Sequence, residues 1–144
     1  MMKQEYTLQS KPVVLDEVAV RIAIKLLKSF EGCELKAYPD PGSDLYKTLV
    51  QHNILRKYLD GNFELPPYLK ALKADPYTVG YGSTGPDITV DTVWTLEQAQ
   101  SALEERVRGD MAKVLKIAPK LSKAAPQRLA AIVSLVYNIG LKAF

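Results

Sequence analysis

The stretch Tyr77-Thr78-Val79-Gly80-Tyr81-Gly82 decides how this chain is read. Bulky and small residues alternate through it with the period of a β-strand. Tyr77, Val79 and Tyr81 then face one side, and Thr78, Gly80 and Gly82 the other. The glycine-lined side is expected to leave room for something to approach. A second short strand is expected from Ile88 to Val90, giving a small sheet in a chain whose remaining periodicity is helical.

Downstream, Thr95-Leu96-Glu97-Gln98 is a capping-box pattern, in which the Thr and Gln side chains satisfy each other's backbone N–H groups at a helix start. The helix should run to about Ile117 on a stripe of Leu96, Ala99, Leu103, Val107, Val114 and Leu115, with a kink or restart at Gly109-Asp110, before Pro119 interrupts it. Pro126 fits the first turn of a last helix reaching about Asn138, with Gly140 as its stop. One face carries Leu129, Ile132, Val133, Val136 and Tyr137. The other, with Ala130, Ala131, Leu135 and Ile139, is nearly as apolar. A helix apolar all round is buried all round, so if the chain ends at Phe144 the second face is expected to appear as an apolar patch or to be covered by a second copy; the competing reading is that the helix from Thr95, the first helix and the inserted helices suffice to close the core.

Upstream, residues 1–14 lack periodicity and read as a loose arm. Asp16 is a natural N-cap for an amphipathic helix with Val18, Ile22, Leu26 and Phe30 at four-residue steps beside Ala19, Ala23 and Leu27. Gly32 suits a left-handed position past its end, which puts Glu31 in the last turn. Tyr38-Pro39-Asp40-Pro41-Gly42-Ser43-Asp44 is dense in turn formers. Apolar residues then recur from Leu45 to Tyr58, Asp60-Gly61-Asn62 stops them, and Pro66-Pro67 precedes a helical run through Leu72, so that two small helices are expected. The whole reads as a mostly helical α+β domain over 15–144, with a small sheet and a helical part over 95–144.

Of the 144 residues, 47% are hydrophobic and 24% charged, values that exclude disorder as the main state. The net charge is +3, and residues 95–144 carry +4, a bias suited to an anionic polymer. No aromatic-basic motif supports nucleic-acid binding. Lys113, Lys116, Lys120 and Lys123 recur at helical steps and read first as a solvated face. One cysteine, Cys33, and one histidine, His52, permit neither an internal disulfide nor a Cys/His zinc site. Met1 to Tyr6 shows no signal-peptide pattern, and charges interrupt the apolar stretch Val13 to Phe30 well short of the roughly 20 residues that cross a bilayer, so neither a secretory signal nor membrane insertion is expected.

Two carboxyl groups attract chemistry. Cleaving a glycosidic bond requires one carboxyl that keeps its proton and one that stays ionised on the other side of the sugar. At the end of its helix Glu31 meets the negative end of the macrodipole, which disfavours a carboxylate, and Phe30 beside it is expected to add shielding. Asp40, between two prolines in a turn, suits the ionised role, and the Thr78 hydroxyl suits holding a water beside it. On residues alone the plainer readings come first: Glu31 as a solvated helix-end residue and Asp40 as a turn former.

Phe30-Glu31-Gly32, Leu35-Lys36-Ala37-Tyr38-Pro39-Asp40 and Tyr77 to Gly82 resemble the active-site segments of the phage lysozymes (endolysins, glycoside hydrolase family 24). The nine-residue step from Glu31 to Asp40, followed by Thr78, is similar to that family's Glu, Asp, Thr triad. Trp94-Thr95 with Glu97 and Ala99, and the segment Leu129 to Phe144, resemble its helical lobe. The resemblance implies a lysozyme-like two-lobed fold with a β-sheet lobe and a helical lobe. It also implies hydrolysis of the β-1,4 bond between N-acetylmuramic acid and N-acetylglucosamine in peptidoglycan, with inversion and with neither metal nor organic cofactor. Glu31 would be the acid, Asp40 the base and Thr78 the residue that positions water. Tyr38, Gly80, Tyr81 and Gly82 would bind substrate, the two tyrosines by stacking on sugar rings. Such a protein would wait in the host bacterial cytoplasm and act on the cell wall.

Three departures stand out. Between Asp40 and Thr78 lie 37 residues where the family has a short hairpin, so 41–76 is an insert, expected to be helical and to project from the sheet as a lid or flap. Ser83 stands where many relatives have His, and relatives continue past Phe144 into further helices. The competing readings are a non-catalytic lysozyme-like remnant that only binds peptidoglycan, and a lytic transglycosylase, which would need Glu31 but not Asp40.

Overall fold

The computed structural model describes residues 13–140 and 142. The expected arm at 1–14 lies almost entirely outside them, as do residues 143 and 144. The chain divides into two compact units, one made of Met1–Leu27 with Glu104–Phe144 and the other of Lys28–Leu103.

Helix α1 covers Glu17–Phe30, and Asp16 caps it by accepting the Val18 and Ala19 N–H groups at 3.0 and 3.2 Å. Its buried stripe is Ala19, Val20, Ala23 and Leu27, rotated from the expected one, which leaves Val18 46% and Phe30 73% exposed. Phe30 therefore does not shield Glu31. Gly32 does not take the left-handed conformation expected of it, and α1 ends one residue before Glu31.

In the 28–103 unit, β1 (Glu34–Tyr38) pairs antiparallel with β2 (Thr78–Gly80), Glu34 opposite Gly80 and Tyr38 opposite Thr78. The strand expected at Ile88 to Val90 is not formed. The segment after it reaches β1 instead, through Ala37 N–H to Thr92 O at 2.9 Å, Trp94 N–H to Leu35 O at 2.8 Å and a bridge between Lys36 and Val93.

Strand β2 is also shorter than the alternation implied. Gly80 and Gly82 adopt φ of +66° and +90°, and Val79 and Ser83 exchange backbone hydrogen bonds at 2.9 Å, so the chain reverses there. The two glycines are turn residues. The side of Gly80 read as open is filled: a Cβ there would stand 3.1 Å from the Trp94 ring and 3.2 Å from Ala99.

The insert forms three helices rather than two, α2 (Asp44–Gln51), α3 (Leu55–Leu59) and α4 (Pro67–Lys70). Asn53, at φ +57°, breaks the first run in a conformation that Asn tolerates better than most residues. Leu45, Leu49, Tyr58, Leu65, Leu69 and Ala74 form an apolar core, with Tyr38 and Tyr77 packed against it. Each fully buried Leu contributes roughly 1.5–3 kcal/mol, which is why a segment of this length folds instead of looping. Its two ends are tied by Asp40 N–H to Ala74 O and Leu45 N–H to Lys73 O, both 2.9 Å.

Helix α5 (Leu96–Ile117) starts in the 28–103 unit with the reciprocal cap read from sequence: Thr95 N–H to Gln98 Oε1 at 2.8 Å and Gln98 N–H to Thr95 Oγ1 at 3.1 Å. It runs unbroken through Gly109-Asp110, and Met111 completes its buried stripe. A 3-10 turn at Pro119–Lys123 leads to α6 (Pro126–Ile139), closed by Gly140 at φ +86°. Arg106 on α5 donates to Tyr137 O on α6 at 2.8 Å and lies 3.9 Å from the Tyr137 ring centre. Arg108 grips Glu17 of α1 with two hydrogen bonds, at 2.8 and 2.9 Å. On α6 the buried face is Leu129, Ala130, Val133, Val136 and Tyr137, while Leu135 and Ile139, one turn apart, are about half exposed.

Candidate functional site

A cavity of about 260 Å³ opens where α1 gives way to β1. Glu31, Gly32, Glu34 and Tyr38 line it from that segment, and Gly82 from the turn after β2. The insert adds Pro41, Tyr46 and Leu59. Of the residues singled out in sequence, Glu31, Tyr38 and Gly82 thus share one cavity.

Asp40 and Thr78 are not among its lining residues, though both lie on segments next to it. Thr78 faces Tyr38 across the ladder, and Asp40 lies two residues beyond Tyr38, next to the cavity-lining Pro41. The insert therefore does not separate them: its ends close on each other, with Ala74 O accepting the Asp40 N–H. The Asp40 carboxylate is fixed by its own turn. Its Oδ2 accepts the Gly42 N–H at 2.9 Å, while its backbone carbonyl accepts the Ser43 N–H at 2.8 Å. One carboxylate oxygen thus holds the loop.

Tyr81 and Gly80 behave differently from the sequence reading. Tyr81 is only 7% exposed, and its hydroxyl is engaged by Cys33 and Gln100. Burial, followed by the effects of Cys33, raises its phenol above the ordinary value. A ring buried this way presents no face to a sugar. Gly80 is covered by Trp94, so both residues shape the turn that delivers Gly82.

Tyr38, half-buried, keeps a lining position, and its phenol is raised by burial and then by the neighbouring Glu34, Tyr46 and Glu31. Glu34 has no counterpart in the sequence reading. Arg56 on α3 holds it with two hydrogen bonds, at 3.1 and 3.3 Å, and also pairs with Asp60. A second carboxylate beside Glu31 is thereby matched by a cation. Arg56 lies 22 positions after Glu34, so no local spacing could have revealed the pair. His52 and the four lysines of 113–123 are exposed, as expected of surface residues. No cluster of three metal-ligating side chains occurs among the described residues. No helix is long and apolar enough to cross a membrane, among the described residues.

A mostly helical α+β chain with a two-stranded sheet and a glutamate at the mouth of a cavity after the first helix invites comparison with known proteins. The phage lysozyme family profile matches residues 60–144. That span holds Thr78, the glycine turn and both long C-terminal helices, and begins after Glu31 and Asp40. The endolysin of Bacillus phage PZA is 34% identical over 122 residues, which is 84% of this chain and 34% of that protein. The endolysins of Lactococcus phages c2 and phivML3 are each 30% identical over 118 residues, 81% of this chain and 37% of theirs. This chain belongs to the phage lysozyme family. It spans about a third of the length of the curated relatives it matches.

Proposed function

We propose that the chain hydrolyses the β-1,4 bond between N-acetylmuramic acid and N-acetylglucosamine in peptidoglycan, with inversion, and that its site of action is the cell wall of a host bacterium in whose cytoplasm it is made. The observation that carries this is the cavity in which Glu31 meets Tyr38 and Gly82, with Asp40 and Thr78 on the two chain segments that border it. Glu31 protonates the leaving oxygen. Asp40, through the oxygen not committed to Gly42, takes a proton from water, and the Thr78 hydroxyl orients that water. Inversion needs the two carboxyls about 6.5–9.5 Å apart to admit the water between acid and base. Tyr38 and Gly82 border the bound sugar. Neither metal nor organic cofactor enters these steps.

A second reading, a binding module without catalysis, draws on the Asp40 carboxylate being used within its own turn. The discriminating experiment is a turbidity assay on chloroform-treated Gram-negative cells with mass analysis of the products. Reducing-end muropeptides support hydrolysis, 1,6-anhydro products indicate a transglycosylase, and wall binding without release supports the binding module.

A further inference from the structure

The inserted helices do more than fold by themselves. Of the residues that line the Glu31 cavity, Pro41, Tyr46 and Leu59 come from the insert, and the last two are side chains with an apolar surface to offer. We propose that Tyr46 and Leu59 are substrate-contacting, specificity-determining residues, which pack on the apolar face or the N-acetyl methyl of the sugar bound beside Glu31. This rests on the cavity being the glycan site.

The geometry supports a built wall rather than a passing contact. Tyr46 lies in the first turn of α2, where Ser43 Oγ accepts its N–H at 3.2 Å, and α2 is anchored by the fully buried Leu45 and Leu49. Leu59 is the last residue of α3, which is tied to β1 twice. Arg56 holds Glu34, and the Tyr58 hydroxyl donates to Ala37 O at 3.2 Å, with Lys36 Nζ lying 4.8 Å from the Tyr58 ring centre. Both side chains are half-buried, so each is held by packing yet reaches solvent. Sugars offer a face of C–H groups to such surfaces and hydroxyls to polar ones, here Glu34 and Tyr38. The cavity volume, below the roughly 300 Å³ at which sites for drug-sized ligands begin, suits one ring.

The test is titration of an N-acetylglucosamine–N-acetylmuramic acid tetrasaccharide into Glu31→Gln protein, with the Kd read by calorimetry and the contacts by NMR. Tyr46→Ala and Leu59→Ala, in that background, are expected to weaken binding about fivefold or more each, the loss of roughly one apolar contact. Tyr46→Phe should stay within about twofold, as should Tyr68→Ala, a 69% exposed residue of the same insert away from the cavity. Should an alanine variant fail to fold, the side-chain signals of Tyr46 and Leu59 in the parent must still shift on titration while those of Tyr68 do not. Unchanged Kd in the folded alanine variants, an equal loss in Tyr68→Ala, or unshifted Tyr46 and Leu59 signals overturns the inference. Wall lysis is read separately: lysis with insert-independent binding overturns this inference alone, and insert-dependent binding without lysis keeps it and overturns the hydrolase reading.

Discussion

Trp94 lies directly on Gly80: two of its ring carbons stand 3.1 Å from the point where a β-carbon would project, and Gly80 itself holds φ +66°. The contact fixes the turn that carries Gly82 to the Glu31 cavity. Gly80→Ala combines an unfavourable left-handed conformation with overpacking and is expected to cost about 1–3 kcal/mol or more, read as a lower denaturation midpoint. Gly32→Ala is the contrast. A Cβ there meets nothing within 4 Å, so stability should be unchanged, while glycan affinity falls because Gly32 borders the cavity.

Arg106 stacks on Tyr137 and donates to its carbonyl, two roles that a planar guanidinium performs together and an ammonium does not. Arg106→Lys should therefore lose much of what Arg106→Ala loses, about 1 kcal/mol, in thermal unfolding.

Tyr58 ties the insert to β1, and its phenol is pushed up to about 12, first by burial and then by Tyr77 and Asp91. The unfolded chain releases this proton near its ordinary value of 10, before the folded protein does. Stability from this group is thus complete below pH 10 and is lost as pH rises toward 12. Tyr58→Phe should be less stable at neutral pH by about 0.5–1.5 kcal/mol for the missing hydrogen bond, and should show a shallower decline in stability between pH 10 and 12. A decline as steep as that of the parent would show that the Tyr58 phenol does not set the alkaline loss of stability.

Asp40→Asn keeps an oxygen that can accept the Gly42 N–H, so the turn should survive. An amide takes no proton from water, and lysis should fall by about 10²–10⁴. Retained activity with anhydro products would replace hydrolysis by transglycosylation.

What was legible in the sequence was local. Asp16, the Thr95/Gln98 pair and Gly140 act within a few residues of themselves, and each does what its spacing implied. Membership of the phage lysozyme family was legible in the segments that resemble it. Features decided by distant partners were not. Strand β1 is five residues long beside a proline-rich turn, and its pairing with β2 is fixed by residues some forty positions away. The glycine alternation looked like a strand because spacing carries no φ; the structure spends both glycines on a turn and fills the space with Trp94. The motif offers Tyr81 as a sugar platform, yet the fold leaves it only 7% exposed. The insert's two helices became three at Asn53, and its part in the cavity depends on Arg56 reaching Glu34 across 22 residues.

Hydrolysis as proposed depends first on Glu31 as the proton donor to the leaving sugar. The most direct measurement is the lysis rate of Glu31→Gln on chloroform-treated cells, with folding checked by circular dichroism. Because Gln preserves the shape of a half-exposed residue just past α1, folding should be unchanged, while the rate drops by about 10²–10⁴. A folded Glu31→Gln protein that lyses cells at near the parent rate would show that Glu31 is not the proton donor.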